Sequence, residues 1–387
     1  MTNFLYGKDQ RTDCQTAVML YLIFNGSPSA VSDQEYQKYF QIALSARLEF
    51  LFLRCFGNRM PASADSDRLT GIQRQLLIQS MRLESARKEI KDLFNENQIR
   101  FCFFKGADLA FRVYPFPDAR VMGDIDVLVH PDDEEAANDL LLRHNWIANG
   151  EYKHSHHRPC LQKKGVALEQ HFALPGTGSE QMGELWNDPQ AFERLTEFEY
   201  QLSPELNCCM LFNHAVRHDW QNAHYLLADI FMLLYKTPEK RLDRQALLRF
   251  TRIGNWLYPG ILLESYREFL PETVLPEVEE YSEEEKKTFR YVMSTGPLME
   301  DFDSAGKIYR TSFFSGEFWQ KVRVALFEPQ RFAERDAEGN LSFRYWRQKN
   351  WARIKAFFRV KFFSESDTMQ GKFMKQNRQL LDRLRKK

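Results

Sequence analysis

No run of apolar residues in this 387-residue chain is long enough to span a bilayer. The opening Met1-Thr-Asn-Phe-Leu-Tyr-Gly-Lys-Asp9 lacks the basic region and apolar stretch of a secretion signal. Neither membrane insertion nor secretion is expected. Net charge is missing as well: Lys plus Arg and Asp plus Glu number 53 each, so no long-range field would steer the molecule along an extended polyanion. Extended nucleic-acid binding is not expected. Cysteine is sparse and unpatterned. Cys14, Cys55, Cys102, Cys160, Cys208 and Cys209 form no CxxC pair and mostly sit among apolar neighbours, as reduced core thiols do, which suits a reducing cytoplasm. There is no Gly-x-x-x-x-Gly-Lys-Ser/Thr loop of a P-loop kinase or ATPase, no Gly-x-Ser-x-Gly elbow and no internal repeat.

What is present is enough apolar (43%) and aromatic (14%) content for two or three domains and a substantial core. Apolar residues recur three and four apart over residues 16–24, 36–56 and 69–94, which predicts helices. The small, polar stretch 60–67 interrupts them as a linker, with Ser63, Asp65 and Ser66 as candidate caps for the long helix that follows. The character changes at Ile99. Residues 99–104 are short, aromatic-rich and bounded by Lys105-Gly106, as a buried strand is. A short helix is expected over 107–113, and a second strand over 124–130, where Ile125, Val127 and Val129 alternate with Asp124, Asp126 and Leu128. Residues 131–144 read as a helix whose first turn carries Asp132, Asp133, Glu134 and Glu135, where the macrodipole favours negative charge. Residues 158–162 and 166–172 flank Lys163-Lys164-Gly165 and predict a hairpin. From 182 to 270 the pattern is helical, most clearly over 208–217 and 225–235. Residues 276–285 are acid-rich, as a solvated loop and helix start are. Residues 353–387 are the one strongly basic part of the chain.

Two carboxylates at positions i and i+2 of a strand project from one face, so Asp124 and Asp126 can share a divalent ion. Nucleotidyl transfer needs that geometry, because the ion must neutralise a triphosphate, orient its α-phosphorus and lower the pKa of an attacking hydroxyl. Upstream, Phe103-Phe104-Lys105-Gly106 leads from strand to helix. Its lysine and exposed N–H groups suit phosphate oxygens, and Gly106 lets backbone approach them. Downstream, Glu169 in the alternating run 166–171 is a candidate third carboxylate from a neighbouring strand, near the attacking hydroxyl as ligand or general base.

These parts resemble the uncharacterised nucleotidyltransferase family within the DNA polymerase beta-like superfamily. The likeness rests on Phe104-Lys-Gly-Ala-Asp-Leu-Ala110, Tyr114-Pro115, Arg120, Gly123-Asp-Ile-Asp-Val-Leu-Val129 and Leu168-Glu-Gln-His171. Asn213-His214 and Leu226-Leu-Ala-Asp229 resemble the helical half that follows the catalytic sheet in that family. The resemblance covers roughly residues 70–240. It implies an α+β fold, in which a polymerase-beta-like core with a small mixed sheet lies between helical regions. The pattern along the chain sets the expected boundaries at 1–68, 69–174 for the core, 175–300 for the acceptor-side helices and 301–387 for the basic, aromatic-rich end. The resemblance also implies Mg²⁺, or Mn²⁺, held by Asp124, Asp126 and Glu169, with Lys105, Gly106, Arg120 and His171 binding an NTP such as ATP. A nucleoside monophosphate would pass to a small molecule or protein hydroxyl. The wider superfamily places Gly-Ser after the first strand, whereas Gly106 is followed here by Ala107, which leaves the terminal-phosphate contact to Lys105 or Arg120. The segment from Gly106 to Asp124 is also longer than the superfamily usually shows. Ala107 favours the alternative of a non-catalytic module that binds a nucleotide or partner. Three costly like charges in one cleft favour a working site.

Other groupings carry less. His154, His156, His157 and Cys160 bunch before the hairpin without a closed zinc-ligand spacing. His214 and His218 lie four apart on a helix without a HExxH glutamate, and Asp229 is their candidate partner. The aromatic and basic stripe over 343–363 suits packing on the protein's own core with its cations reaching water. Residues 372–387 are the candidate for a free basic helix.

Overall fold

The computed structural model describes residues 12–25, 31–45, 48–57, 59, 64–149, 157–218, 220, 223–236, 242–272, 275–276, 280–295 and 369–385. The chain divides into two compact units, 1–297 with 384–387, and 298–383.

The first unit opens with α1 (Thr12–Asn25), α2 (Asp33–Ser45) and α3 (Glu49–Phe56), whose Tyr36, Phe40 and Phe52 form an aromatic cluster with centroids 5.0–6.3 Å apart. The long α4 (Ala64–Glu96) follows, in keeping with its uninterrupted periodicity. Next come β1 (Phe101–Phe103), α5 (Gly106–Arg112), β2 (Asp124–Val129), α6 (Glu134–Arg143), β3 (Ile147–Asn149), β4 (Cys160–Lys163) and β5 (Val166–His171). The unit then continues through α7 (Ser179–Asn187), β6 (Phe192–Arg194), β7 (Glu199–Leu202), α8 (Pro204–Arg217), α9 (Ala223–Lys236), α10 (Arg244–Ile253), α11 (Gly260–Ser265) and α12 (Glu283–Thr295). The strands form one mixed sheet in the order β3-β4-β5-β2-β1-β7-β6.

Period-two alternation in β2 and β5 sorts their side chains between two faces. Ile125, Val127, Val129, Val166 and Leu168 join Phe101 and Phe103 in a core closed by Leu83, Ile90 and Phe94 of α4 and Ala137, Leu140 and Leu141 of α6. The opposite face is left to Asp124, Asp126, Glu169 and His171. β2 and β5 run parallel with Asp126 opposite Glu169 and Leu128 opposite His171, so the carboxylates from the two strands lie level.

Several details differ from what the sequence suggests. The first strand covers three residues rather than six, because Lys105 takes a φ of 51°, a left-handed value rare for lysine, and turns the chain into α5. The expected helix over 131–144 begins with a 3₁₀ turn at Pro131–Asp133, and α6 proper starts at Glu134. The hairpin is present, with Lys164 and Gly165 both at positive φ (50° and 78°) as a two-residue type I′ turn requires. Within the stretch 182–270, read as helical throughout, β6 and β7 extend the sheet beside β1. They hold only three and four residues, too few for alternation to stand out against the helices around them. β3 is likewise a three-residue edge strand.

In the second unit α13 (Met369–Leu384) is described as far as Arg383, its last residue falling in the first. Phe373, Asn377, Leu380 and Leu384 are buried along one stripe, so the free basic helix expected over 372–387 has one covered face. The aromatic and basic stripe at 343–363 lies outside the described residues. Among the described residues no helix is long and apolar enough to cross a membrane.

Candidate active site

Asp126 is the centre of the polar face. It is 4% exposed, and its Oδ1 accepts from Lys105 Nζ at 2.7 Å and lies 2.9 Å from His171 Nε2. The same imidazole nitrogen is 3.4 Å from Glu169 Oε2, so it faces two carboxylates and carries the proton. Asp126, Glu169 and His171 each bring a ligand-type atom within 4.8 Å of the others. His171 itself is fully buried, with the Phe104 ring edge-on at 4.8 Å and the His157 ring at 5.1 Å. His154 and His156 lie outside the described residues.

The charges are unevenly compensated. Burial works against the Asp126 carboxylate, but Lys105 and His171 together hold its pKa far below the usual carboxylate range. Glu169 is lowered by its hydrogen bond to His171. Asp124, two residues before Asp126 on the same face, feels Lys105 and His171 only as weaker influences. Burial first, then the charges of Asp126 and Glu169, push it up to about 6. Carboxylates whose mutual repulsion Lys105 and His171 only partly relieve suit a divalent cation. The group that converges is Asp126, Glu169 and His171, which could hold a cation through two carboxylates and an imidazole; Asp124 is not part of that convergence.

Lys105 and Arg120, the two cations expected at phosphates, are both paired with carboxylates. Lys105 is on Asp126. Arg120 donates from Nε and Nη2 to Asp229 Oδ1 and Oδ2, both at 2.8 Å, and Tyr114 donates its hydroxyl to Asp229 Oδ1 at 2.8 Å. Asp229, the partner that the sequence suggests for His214 and His218, lies instead on Arg120 and Tyr114. The two histidine rings instead face each other at 4.5 Å. Burial, then the Lys105 charge, pushes His214 well below the ordinary histidine value, so it lies near the cleft as a neutral imidazole. Sequence reasoning could not join Asp229 to Arg120, because 109 residues separate them.

Gly106 is where close approach matters. A Cβ added there would meet Arg120 Nη1 at 2.8 Å and Met122 Cγ at 2.9 Å. Since Asp229 pins the guanidinium, Gly106→Ala is expected to destabilise the protein by about 1–3 kcal/mol, as overpacking does. Thermal unfolding checks this, and an unchanged midpoint would mean that Arg120 yields freely.

The strand-turn-helix unit at Lys105-Gly106, the level carboxylates of β2 and β5, and the helices that flank the mixed sheet along the chain define a polymerase-beta-like nucleotidyltransferase core within an α+β chain. The chain belongs to the uncharacterised nucleotidyltransferase family, whose model matches residues 36–258, more than half of its length. The match runs from α2 to beyond α10, wider than the 70–240 expected from the motifs. No curated protein and no solved structure matches the chain.

Proposed function

We propose that the protein transfers a nucleoside monophosphate from an NTP, with Mg²⁺ or Mn²⁺, to a hydroxyl of a small molecule or a protein side chain. The observation that carries this reading is the convergence of Asp126, Glu169 and His171 within 4.8 Å, with Asp124 crowded beside them. Asp124, Asp126 and Glu169 would hold the cation. When bound, the cation supplies charge neutralisation for the triphosphate and acidifies the acceptor hydroxyl. Glu169 has the most exposed side chain of the metal-type cluster, at 28%, and would take the acceptor proton. His171 fixes the carboxylates. Five described cysteines are free thiols, which supports a reducing, cytoplasmic setting.

Lys105 has two jobs in this reading. Without a cation it neutralises Asp126; with cation and nucleotide bound, it turns to the phosphates. Lys105→Met is therefore expected to raise affinity for Mn²⁺ alone, by about tenfold for the loss of one charge-assisted competitor, while weakening NTP binding. Mn²⁺ titration followed by electron paramagnetic resonance reads the first effect. A fall in Mn²⁺ affinity would contradict the proposed exchange.

Cation binding should also depend on pH. Because Asp124 is protonated below about 6, a cation must displace that proton there. Affinity should be flat above pH 7 and fall by about tenfold per pH unit well below 6. A profile that stays flat down to pH 5 would remove Asp124 from the ligand set.

The second reading, a non-catalytic module, draws on one specific observation: both phosphate-type cations are already paired with carboxylates. It predicts no cation-dependent NTP binding, whereas the transferase reading predicts binding that Asp124→Asn abolishes. Calorimetric titration of the four NTPs with Mg²⁺ separates them.

A further inference from the structure

We propose that Asp229, on α9, is a positioning residue for nucleotide binding. It holds Arg120 over Gly106 so that the one guanidinium edge left to a ligand lies beside the Lys105-Gly106 turn. This inference rests on the nucleotidyltransferase reading above.

The geometry is specific. Asp229 is 1% exposed, and its side chain accepts three hydrogen bonds, all from the segment between α5 and β2. Two come from Arg120 in a fork-to-carboxylate pair, the arrangement that fixes both the position and the plane of a guanidinium. The third comes from Tyr114, itself buried and 115 residues away along the chain. Arg120 also lies over the Tyr225 ring at 5.6 Å, so its plane is constrained on a second side. With Nε and one N–H of Nη2 committed to Asp229, the nitrogen left wholly outside the fork is Nη1. It makes a long contact of 3.2 Å to the Val121 carbonyl, and it sits 2.8 Å from where a Cβ on Gly106 would be. Residue 106 has no side chain to block that edge. The neighbouring Lys105 supplies a second cation, and Asp126 lies 2.7 Å beyond its ammonium.

A structural staple alone would need neither the glycine under the guanidinium nor the placement beside Lys105. The chemistry left available is an N–H donor at Nη1 of a guanidinium held in place by its carboxylate partner. A phosphate oxygen of a nucleoside triphosphate is the matching acceptor. Asp229 would not touch that ligand. It would act through Arg120, and it ties the nucleotide side of the core to the helical half.

The test uses the full-length protein with each of the four NTPs and Mg²⁺, and separately with Mn²⁺ alone. In Asp229→Asn the guanidinium loses its charged partner, and nucleotide affinity should fall by about tenfold or more. Mn²⁺ affinity should stay within about twofold, since the carboxylates of β2 and β5 are untouched. Tyr114→Phe guards against misfolding. It removes one donor to Asp229 and leaves the Arg120 fork intact, so it should lower thermal stability while changing nucleotide affinity by less than about threefold. In a double-mutant cycle, Arg120→Lys and Asp229→Asn should be strongly non-additive on nucleotide affinity. Wild-type nucleotide affinity retained in folded Asp229→Asn would overturn the inference. So would losses that track stability equally in Asp229→Asn and Tyr114→Phe, which would make Asp229 a staple. Failure of the wild type to bind any NTP would instead overturn the transferase reading on which the inference stands.

Discussion

Asp124→Asn is expected to stabilise the cation-free protein by about 2 kcal/mol at neutral pH while removing cation-dependent nucleotide binding. The argument rests on sign. An isolated aspartate titrates near 3.8, and in the fold Asp124 is pushed up to about 6 by burial and by Asp126 and Glu169. Above pH 6 its carboxylate is ionised in both states but penalised only in the folded one. Between about 4 and 6 the folded state takes up the proton and the penalty fades. The gain from Asp124→Asn should therefore be full above pH 6 and shrink as the pH falls toward 4. Thermal unfolding in chelator at pH 7.5 and pH 5 reads both halves. A substitution that destabilises equally at both pH values would show that Asp124 is not under electrostatic strain. The larger meaning is that a group retained against its own stability needs a ligand to justify it.

Asp126→Asn should do the opposite to stability and the same to function. Asp126 is held ionised by Lys105 and His171, and removing its charge leaves a mostly buried ammonium, 14% exposed, without its partner. Breaking a buried pair in this way costs about 3–5 kcal/mol. Because the Asp126 pKa is lowered, its contribution is present throughout the range above that of an ordinary carboxylate, near 4, and is lost only in acid. The cost of Asp126→Asn should thus be nearly constant from pH 5 to pH 8, where that of Asp124→Asn varies. Transfer should fall by on the order of 10³-fold or more, since the shared cation ligand is gone. Two aspartates two residues apart would then move stability in opposite directions. If both substitutions lowered it alike, the division of labour between them would be wrong.

Much of this site was legible in the sequence, for local reasons. Alternation in 124–130 and 166–171 sets which side chains share a face, and the Lys164-Gly165 turn fixes the hairpin, so Asp124, Asp126 and Glu169 could be placed on one surface without coordinates. The level pairing of Asp126 with Glu169 could not, because it depends on the register of two parallel strands with α6, β3 and β4 between them. The Lys105-Gly106 turn suits phosphate by its sequence, whereas in the structure the Lys105 ammonium pairs with Asp126. For Arg120 the family resemblance implies a phosphate contact. Its fork onto Asp229 arises only when α9 packs against the core, and no spacing rule reaches across 109 residues. The short β6 and β7 escaped for a different reason. Three or four residues show no period, and their pairing with β1 and with each other, rather than any pattern of their own, makes them strands.

The most direct measurement is a calorimetric titration of each of the four NTPs, with and without Mg²⁺, into the wild type and an Asp124→Asn/Asp126→Asn double variant. The transferase account predicts Mg²⁺-dependent binding of at least one NTP by the wild type and none by the double variant. Absence of binding by the wild type, or binding that survives loss of both carboxylates, would contradict it.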